Sequence, residues 1–203
     1  MLKKGLFIVI DGIDGCGSTT HCKLLSDYLK ERKFKVKLTK EPTDSMIGIL
    51  SRRMLRGKNL SPLIDALLFS ADRQQHTKEI QKHLNDGYVV ICDRYLESTI
   101  AYQSSQGLSI DWLLELNKDV IKPNLTFILD IDPKLALARK HLDNPEKFEK
   151  VEFLTKVRQV YIDRKNKNNY LLLNSNRNIV DVQTTIRIYV DLKINNNPNI
   201  IVK

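Results

Sequence analysis

Cysteine is scarce in this chain of 203 residues. Cys16, Cys22 and Cys92 are an odd number without framework-like spacing, which argues against a disulfide scaffold or a cysteine-based zinc site and for free thiols in a reducing compartment. Long apolar runs are missing too. No stretch approaches the roughly 20 residues of a membrane span, and the opening Met1-Leu2-Lys3-Lys4-Gly5 leads into a short strand pattern rather than a signal-peptide core. A cytoplasmic protein with no membrane partner is expected. RNA-binding signatures, dense basic runs interleaved with stacking aromatics, and internal repeats are also absent. The formal net charge of +9 therefore favours an anionic partner without pointing to nucleic acid, and lysines spread along amphipathic helices read as a solvated face.

What is present is the composition of an ordinary globular chain, 42% hydrophobic and 28% charged, long enough to bury a substantial core as one domain over residues 1–203. Short apolar strands at Leu6 to Ile10, Val36 to Thr39, Tyr88 to Cys92, Leu125 to Ile131 and Tyr170 to Leu173 alternate with longer stretches of helical period. That alternation predicts an α/β fold, a parallel sheet covered by helices. Ser61 followed by Pro62 caps and opens a long helix running through Leu67, Leu68 and Phe69 toward Leu84, and Asn85-Asp86-Gly87 ends it. The biased tail Asn195-Asn196-Asn197-Pro198-Asn199 reads as a loop beyond the last helix.

After the first strand comes Gly12-Ile13-Asp14-Gly15-Cys16-Gly17-Ser18-Thr19-Thr20. It has the glycine frame of a phosphate-binding loop but not its lysine: Ser18 stands in that place. Glycines let backbone N–H groups converge on phosphate oxygens, a helix starting near Ser18 would add its dipole, and the Thr19 hydroxyl is placed to ligate magnesium. The plain alternative is a tight strand-to-helix turn. A strand before the loop and an amphipathic helix after it, carrying Leu24, Leu25, Tyr28 and Leu29, favour phosphate. Asp14 inside the loop suggests a carboxylate that handles magnesium or a substrate hydroxyl. Cys16, beside a helix N-terminus, is expected to have a lowered thiol pKa.

A second motif follows the third strand: Asp93-Arg94-Tyr95-Leu96-Glu97-Ser98-Thr99-Ile100-Ala101-Tyr102-Gln103. An Asp-Arg pair at a strand's carboxyl end lies where open parallel sheets bind ligands. Asp93 is a candidate to hold hydrated magnesium and Arg94 to grip a phosphate, the alternative being a structural ion pair. Ser98, Tyr102 and Gln103 fall near one helical face.

With these motifs the chain resembles the thymidylate kinases. The similarity covers the phosphate loop with its internal Asp14-Gly15, Glu41-Pro42 after the second strand, Leu68-Phe69-Ser70-Ala71-Asp72-Arg73, and the segment from Asp93-Arg94-Tyr95 to Ala101-Tyr102-Gln103. It extends to Lys122-Pro123-Asn124, Ile131-Asp132-Pro133 and Leu137-Ala138-Arg139. The resemblance implies a P-loop NTPase-type fold, a doubly wound parallel five-stranded sheet with helices on both faces and a short lid at about 139–150. It implies phosphoryl transfer from ATP to dTMP with Mg2+, in a homodimer. Phe69 would stack on thymine, Arg73 would hydrogen-bond its O4, and Ser98 and Gln103 would read or border the base. Tyr102 would pack on the sugar, Asp14 would approach the 3′-hydroxyl, and Arg94 would bind the dTMP phosphate. Residues 12–19 would bind ATP, Thr19 and Asp93 the metal, and Asp14, Arg94 and Arg139 would serve catalysis.

Three positions depart from the family pattern. Asp11 stands where glutamate is usual. Gly15 stands where some members carry an arginine, which directs attention to the lid cations Arg139, Lys140, Lys147 and Lys150. Ser18 replaces the loop lysine, so a nucleotide-binding protein with impaired transfer is one competing reading. A kinase for another pyrimidine monophosphate is the other.

Overall fold

The computed structural model describes residues 5–55, 61–139, 150–166 and 169–196. In chain order the elements are β1 (Leu6–Gly12), α1 (Ser18–Glu31), β2 (Val36–Lys40), α2 (Met46–Leu55), α3 (Pro62–Asn85), β3 (Val89–Asp93), α4 (Leu96–Ser104), α5 (Ile110–Leu116), β4 (Leu125–Asp130), α6 (Pro133–Arg139), α7 (Val151–Asp163), β5 (Tyr170–Asn174) and α8 (Ile179–Asn195). The five strands pair in parallel in the order β2-β3-β1-β4-β5.

Every residue of β1 is buried, as expected of a central parallel strand covered on both faces. Its alternation sorts the core. Leu6, Ile8 and Ile10 pack with Leu25 and Leu29 of α1, Leu154 and Val157 of α7, and Ile186 and Val190 of α8. Phe7 and Val9 point the other way, toward Ile80 of α3, Val90, Cys92 and Tyr95. Helices therefore lie on both faces of a doubly wound sheet.

The strands keep the expected places with small shifts. β1 continues to Gly12 because it stays in register with β4, Gly12 opposite Leu129. β3 starts at Val89 and includes Asp93, which faces Ile10 of β1. The Ser61 side chain accepts from Leu63 N–H, with Pro62 opening α3. Asn195 belongs to α8 rather than to a terminal loop; residues 197–203 lie outside the described set. The order places β1 beside β3, so the loops leaving both strands open at the same carboxyl edge of the sheet.

Candidate active site

The loop between β1 and α1 is shaped for an anion. Gly17 caps α1 in the left-handed region, φ 94°, and contributes no side-chain hydrogen bond; the first turn holds no acid. The leading N–H groups of a 14-residue helix thus face outward with the positive dipole end. Gly15 is also left-handed, φ 79°, and a Cβ there would stand 2.2 Å from the carbonyl oxygen of Ala136. An arginine at this position has no room, and the loop rests directly on α6.

At the start of α1 the Thr19 hydroxyl donates to Asp93 Oδ2 at 2.5 Å, while Asp93 Oδ1 is buried without a partner. The Thr19 hydroxyl and the Asp93 carboxylate, one of whose oxygens is orphaned, make a hard, all-oxygen donor set that fits Mg2+, which takes few protein ligands and fills its remaining positions with water and phosphate. Among the described residues there is no cluster of three or more His, Cys, Asp or Glu side chains able to form an all-protein metal cage.

Beside the loop a cavity of about 250 Å3 is lined by Asp14, Phe69, Arg73, Arg94, Tyr102 and Gln103, among others. Arg94 Nη2 donates to Asp14 Oδ1 at 2.6 Å, and its Nη1 to the Gly12 carbonyl and Ser98 Oγ. The Tyr102 hydroxyl accepts from the Asp14 N–H and donates to Asp14 Oδ2, so both carboxylate oxygens of Asp14 are held. Arg94 adopts φ 68°, a left-handed conformation rare for a branched-free but bulky side chain, and keeps it through a backbone bond from its N–H to Ile10. Burial works against the guanidinium charge, but Asp14, Tyr102, Tyr161 and Asp11 outweigh it and hold its pKa above the ordinary value.

Behind this pair Asp11 gathers five donors. Its Oδ1 accepts from Gly12 N–H, Ser98 Oγ and Tyr161 Oη, and its Oδ2 from the N–H groups of Tyr95 and Ser98. Burial lifts the Asp11 carboxyl above its usual range, against Arg94 and the surrounding donors. With five donors aimed at two oxygens, a bound proton would find no acceptor, so Asp11 acts as a carboxylate that ties β1 to α4 and α7. It braces the loop; no oxygen is left for a metal.

On the other side of the loop a second cleft, about 630 Å3, is lined by Gly15, Ser18, His21, Arg139, Arg177 and Asn178, among others. Asp14 and Arg94 line both clefts. Two ligands in the two cavities would thus meet across one arginine and one aspartate.

A family model described as thymidylate kinase matches residues 10–186. The chain belongs to the thymidylate kinase family. It is 43% identical over 175 residues to a probable thymidylate kinase of Pyrobaculum calidifontis, an alignment covering 85% of this chain and 89% of the relative. It is 44% identical over 168 residues to one of Pyrococcus horikoshii, covering 78% and 82%. A solved thymidylate kinase from Candida albicans superposes with a TM-score of 0.81 at 31% identity, covering 97% of this chain and 93% of that one.

For a thymidylate kinase, several site residues sit differently from the sequence expectation. Cys16 is buried, and burial pushes its thiol up to about 11 against Arg94 and the neighbouring Ser18; the expected activation by the helix end does not occur. Ser98 lines the first cavity, but its hydroxyl is engaged by Asp11 and Arg94. Arg73 is 2% exposed and gives four of its five N–H directions to the protein: Nε to Glu41, Nη1 to Asn117, and Nη2 to the Tyr95 carbonyl and Thr99 Oγ1. One N–H remains for a ligand. Gln103 is buried with Oε1 unpartnered. Of the lid cations, Lys140 and Lys147 lie outside the described residues, Lys150 is exposed ahead of α7, and Arg139 donates to the Ser175 carbonyl at 3.2 Å.

Sequence reasoning missed Tyr161, Thr99 and Arg177. Tyr161 reaches Asp11 from 150 positions away, a distance no local pattern reveals. Thr99 stood inside the second motif as a quoted residue with no role. Arg177 belongs to no motif.

Proposed function

We propose that this chain is a dTMP kinase whose smaller cavity holds dTMP and whose larger cleft holds ATP, residues 1–203 acting as one unit with a lid at about 139–150. The observation that carries this reading is the meeting of the two cavities at Asp14 and Arg94. Phosphoryl transfer between two nucleotides needs two sites that share a wall at the reacting phosphates, with cations there to neutralise charge.

Thymine lies against Phe69, which is half-buried on the cavity wall. The N3–H of the base donates to the free Oε1 of Gln103, and O4 accepts the remaining N–H of Arg73. Such a match satisfies a buried acceptor that is otherwise orphaned. Tyr102, fixed by Asp14, closes the sugar side against a ribose 2′-hydroxyl. Arg94 binds the dTMP phosphate, whose oxygen attacks the γ-phosphorus of ATP in line as the bond to the β,γ-bridging oxygen breaks and ADP leaves. The backbone N–H groups of residues 12–19 hold the donor phosphates, and Arg139 approaches them from α6. Thr19 and Asp93 would hold Mg2+, which when bound draws charge from the β- and γ-phosphate oxygens. No covalent enzyme intermediate is required. Exposed apolar side chains on α2 (Met46, Ile49, Leu50) and α3 (Leu63, Ile64, Leu67) suit a homodimer face.

A coupled assay of ADP release with dTMP, dUMP, UMP, CMP and AMP tests the reading. The kcat/KM for dTMP should exceed that for UMP by roughly tenfold or more, since losing matched polar contacts costs about 1–3 kcal/mol. Equal activity on UMP and dTMP would remove the thymidylate assignment and leave a kinase of broader class.

A further inference from the structure

Thymine and cytosine have nearly the same outline along the ring edge but opposite hydrogen-bonding groups on it. Thymine offers O4 and N3–H, cytosine an amino group and a bare N3. Arg73 donates through every nitrogen, so whichever N–H it turns to the cavity meets O4 and repels an amino group. Gln103 is different. Its amide carries an acceptor and a donor of nearly equal size, and a half-turn about its last bond exchanges the oxygen that receives thymine N3–H for an NH2 that suits cytosine N3. Gln103 is 1% exposed, and its Oε1 is buried without a partner among the described residues. The choice of base therefore depends on what holds this amide.

Gln106 holds it. Gln103 Nε2 donates to Gln106 Oε1 at 3.4 Å; Gln103 lines the smaller cavity and Gln106 does not, so the nitrogen is drawn away from the ligand space and the oxygen is left to it. The backbone sets Gln106 in that place. α4 ends at Ser104 in a turn where Leu108 N–H donates to the Gln103 carbonyl and Gly107 N–H to the Ser104 carbonyl, the paired bonds of a Schellman motif, with Gly107 left-handed at φ 100°. A third bond runs from Gln106 N–H to the same Gln103 carbonyl. Leu108 anchors the turn against the apolar cluster of Ala66, Ile100 and Leu113. The half-buried Gln106 side chain is thus presented to Gln103 by a fixed turn.

We infer that Gln106, outside the cavity, is the positioning residue that sets base choice: it holds the Gln103 amide with its oxygen inward and so selects thymine and uracil against cytosine. This rests on the reading that the smaller cavity holds dTMP with its N3–H on Gln103. A flipped Gln103 sets its oxygen against Gln106 Oε1 unless Gln106 turns as well, so the amide pair has two self-consistent states. A neighbour that can only accept permits the first state alone, and one that can only donate permits the second.

The test compares the full-length parent with Gln106→Glu, Gln106→Leu and Gln106→Lys, reading the dissociation constants of dTMP, dUMP and dCMP by competition titration. The ligands carry the same sugar and phosphate, so a charge introduced by the substitution cancels in their ratios. Gln106→Glu, which can only accept, should keep the preference for dTMP over dCMP at or above that of the parent. Gln106→Leu, which releases the amide, should lower that preference by about fivefold, and Gln106→Lys, which can only donate, by about tenfold or more. The ratio of dTMP to dUMP should stay within about twofold throughout, because uracil offers the same O4 and N3–H.

An equal fall of the dTMP-to-dCMP ratio in Gln106→Glu and Gln106→Lys overturns the inference, for it would mean that the turn matters and the amide pair does not. A dTMP-to-dUMP ratio that moves in step with the dTMP-to-dCMP ratio also overturns it, because it reports a distorted cavity. If Gln106→Lys does not fold, the contrast between Gln106→Glu and Gln106→Leu decides alone. A parent protein that binds dCMP as tightly as dTMP would remove the acceptor reading and the inference with it, whereas a parent that prefers dTMP by a ratio unchanged in every variant removes the inference alone.

Discussion

Replacing Arg94 by alanine isolates the grip on the acceptor phosphate. In the free protein the guanidinium is about one-fifth exposed and paired with Asp14 at 2.6 Å, so dTMP has to share or displace an existing partner. A charge-assisted bond is worth about 1.5–3 kcal/mol, and the competition with Asp14 argues for the lower half of that span, roughly 10- to 50-fold in Kd. Alanine is an informative choice because it keeps a Cβ in the same left-handed backbone, φ 68°, leaving the local strain as it was. Isothermal titration with dTMP and with thymidine separates the phosphate from everything else. The dTMP affinity should fall by the stated factor, and thymidine, which has no phosphate, should bind within about threefold of its wild-type affinity. Equal weakening of both ligands would mean that Arg94 holds the cavity open and does not contact phosphate. Unchanged dTMP affinity in a folded variant would refute the role outright.

Glu41→Gln should destabilise the fold by about 3–5 kcal/mol in chemical denaturation, because the fully buried Arg73 loses its carboxylate; a change under about 1 kcal/mol would refute the importance of that pair. Gly15→Ala forces a Cβ to 2.2 Å from the Ala136 carbonyl oxygen at φ 79°, so ATP affinity should drop by roughly tenfold or more with dTMP binding retained, and unchanged ATP titration would show that the loop yields easily. Burial and the Arg139 charge hold His21 below its usual pKa of 6.5, against the hydrogen bond its Nδ1–H donates to Gln183 Oε1. As pH falls below 6.5 the unfolded chain protonates first, so stability present above that pH declines until His21 titrates in the fold. His21→Asn should flatten this decline without abolishing it, since His83 is also held low, and an unchanged slope would exclude the contribution.

The strand pattern and the Ser61-Pro62 helix start were legible because they are local. A short apolar run like β1, buried at every position, and a side-chain cap on Leu63 N–H are both readable without a distant partner. Phe69 and Arg73, four apart on α3, were readable as neighbours, and both line the smaller cavity. The bonds of Arg73 were not, for its partners Glu41, Asn117 and Thr99 lie 32, 44 and 26 positions away. Cys16 shows the opposite limit. The helix-end argument was sound for an exposed thiol, but whether Cys16 faces the core depends on how Ala136 and Leu129 close over the loop.

The backbone at Arg94 sets two kinds of selection against each other. Glycine there would relieve a conformation that costs a bulky residue on the order of 1–3 kcal/mol, and Asp11, Tyr95 and Ser98 would still lock α4 to β1. Because either change also breaks the Arg94–Asp14 pair, a screen of this position for thermal tolerance should favour Arg94→Gly over Arg94→Ala, whereas a screen for growth that depends on the reaction product should discard both. The position marks where this fold keeps a less stable backbone in exchange for a charge pointed at its ligand.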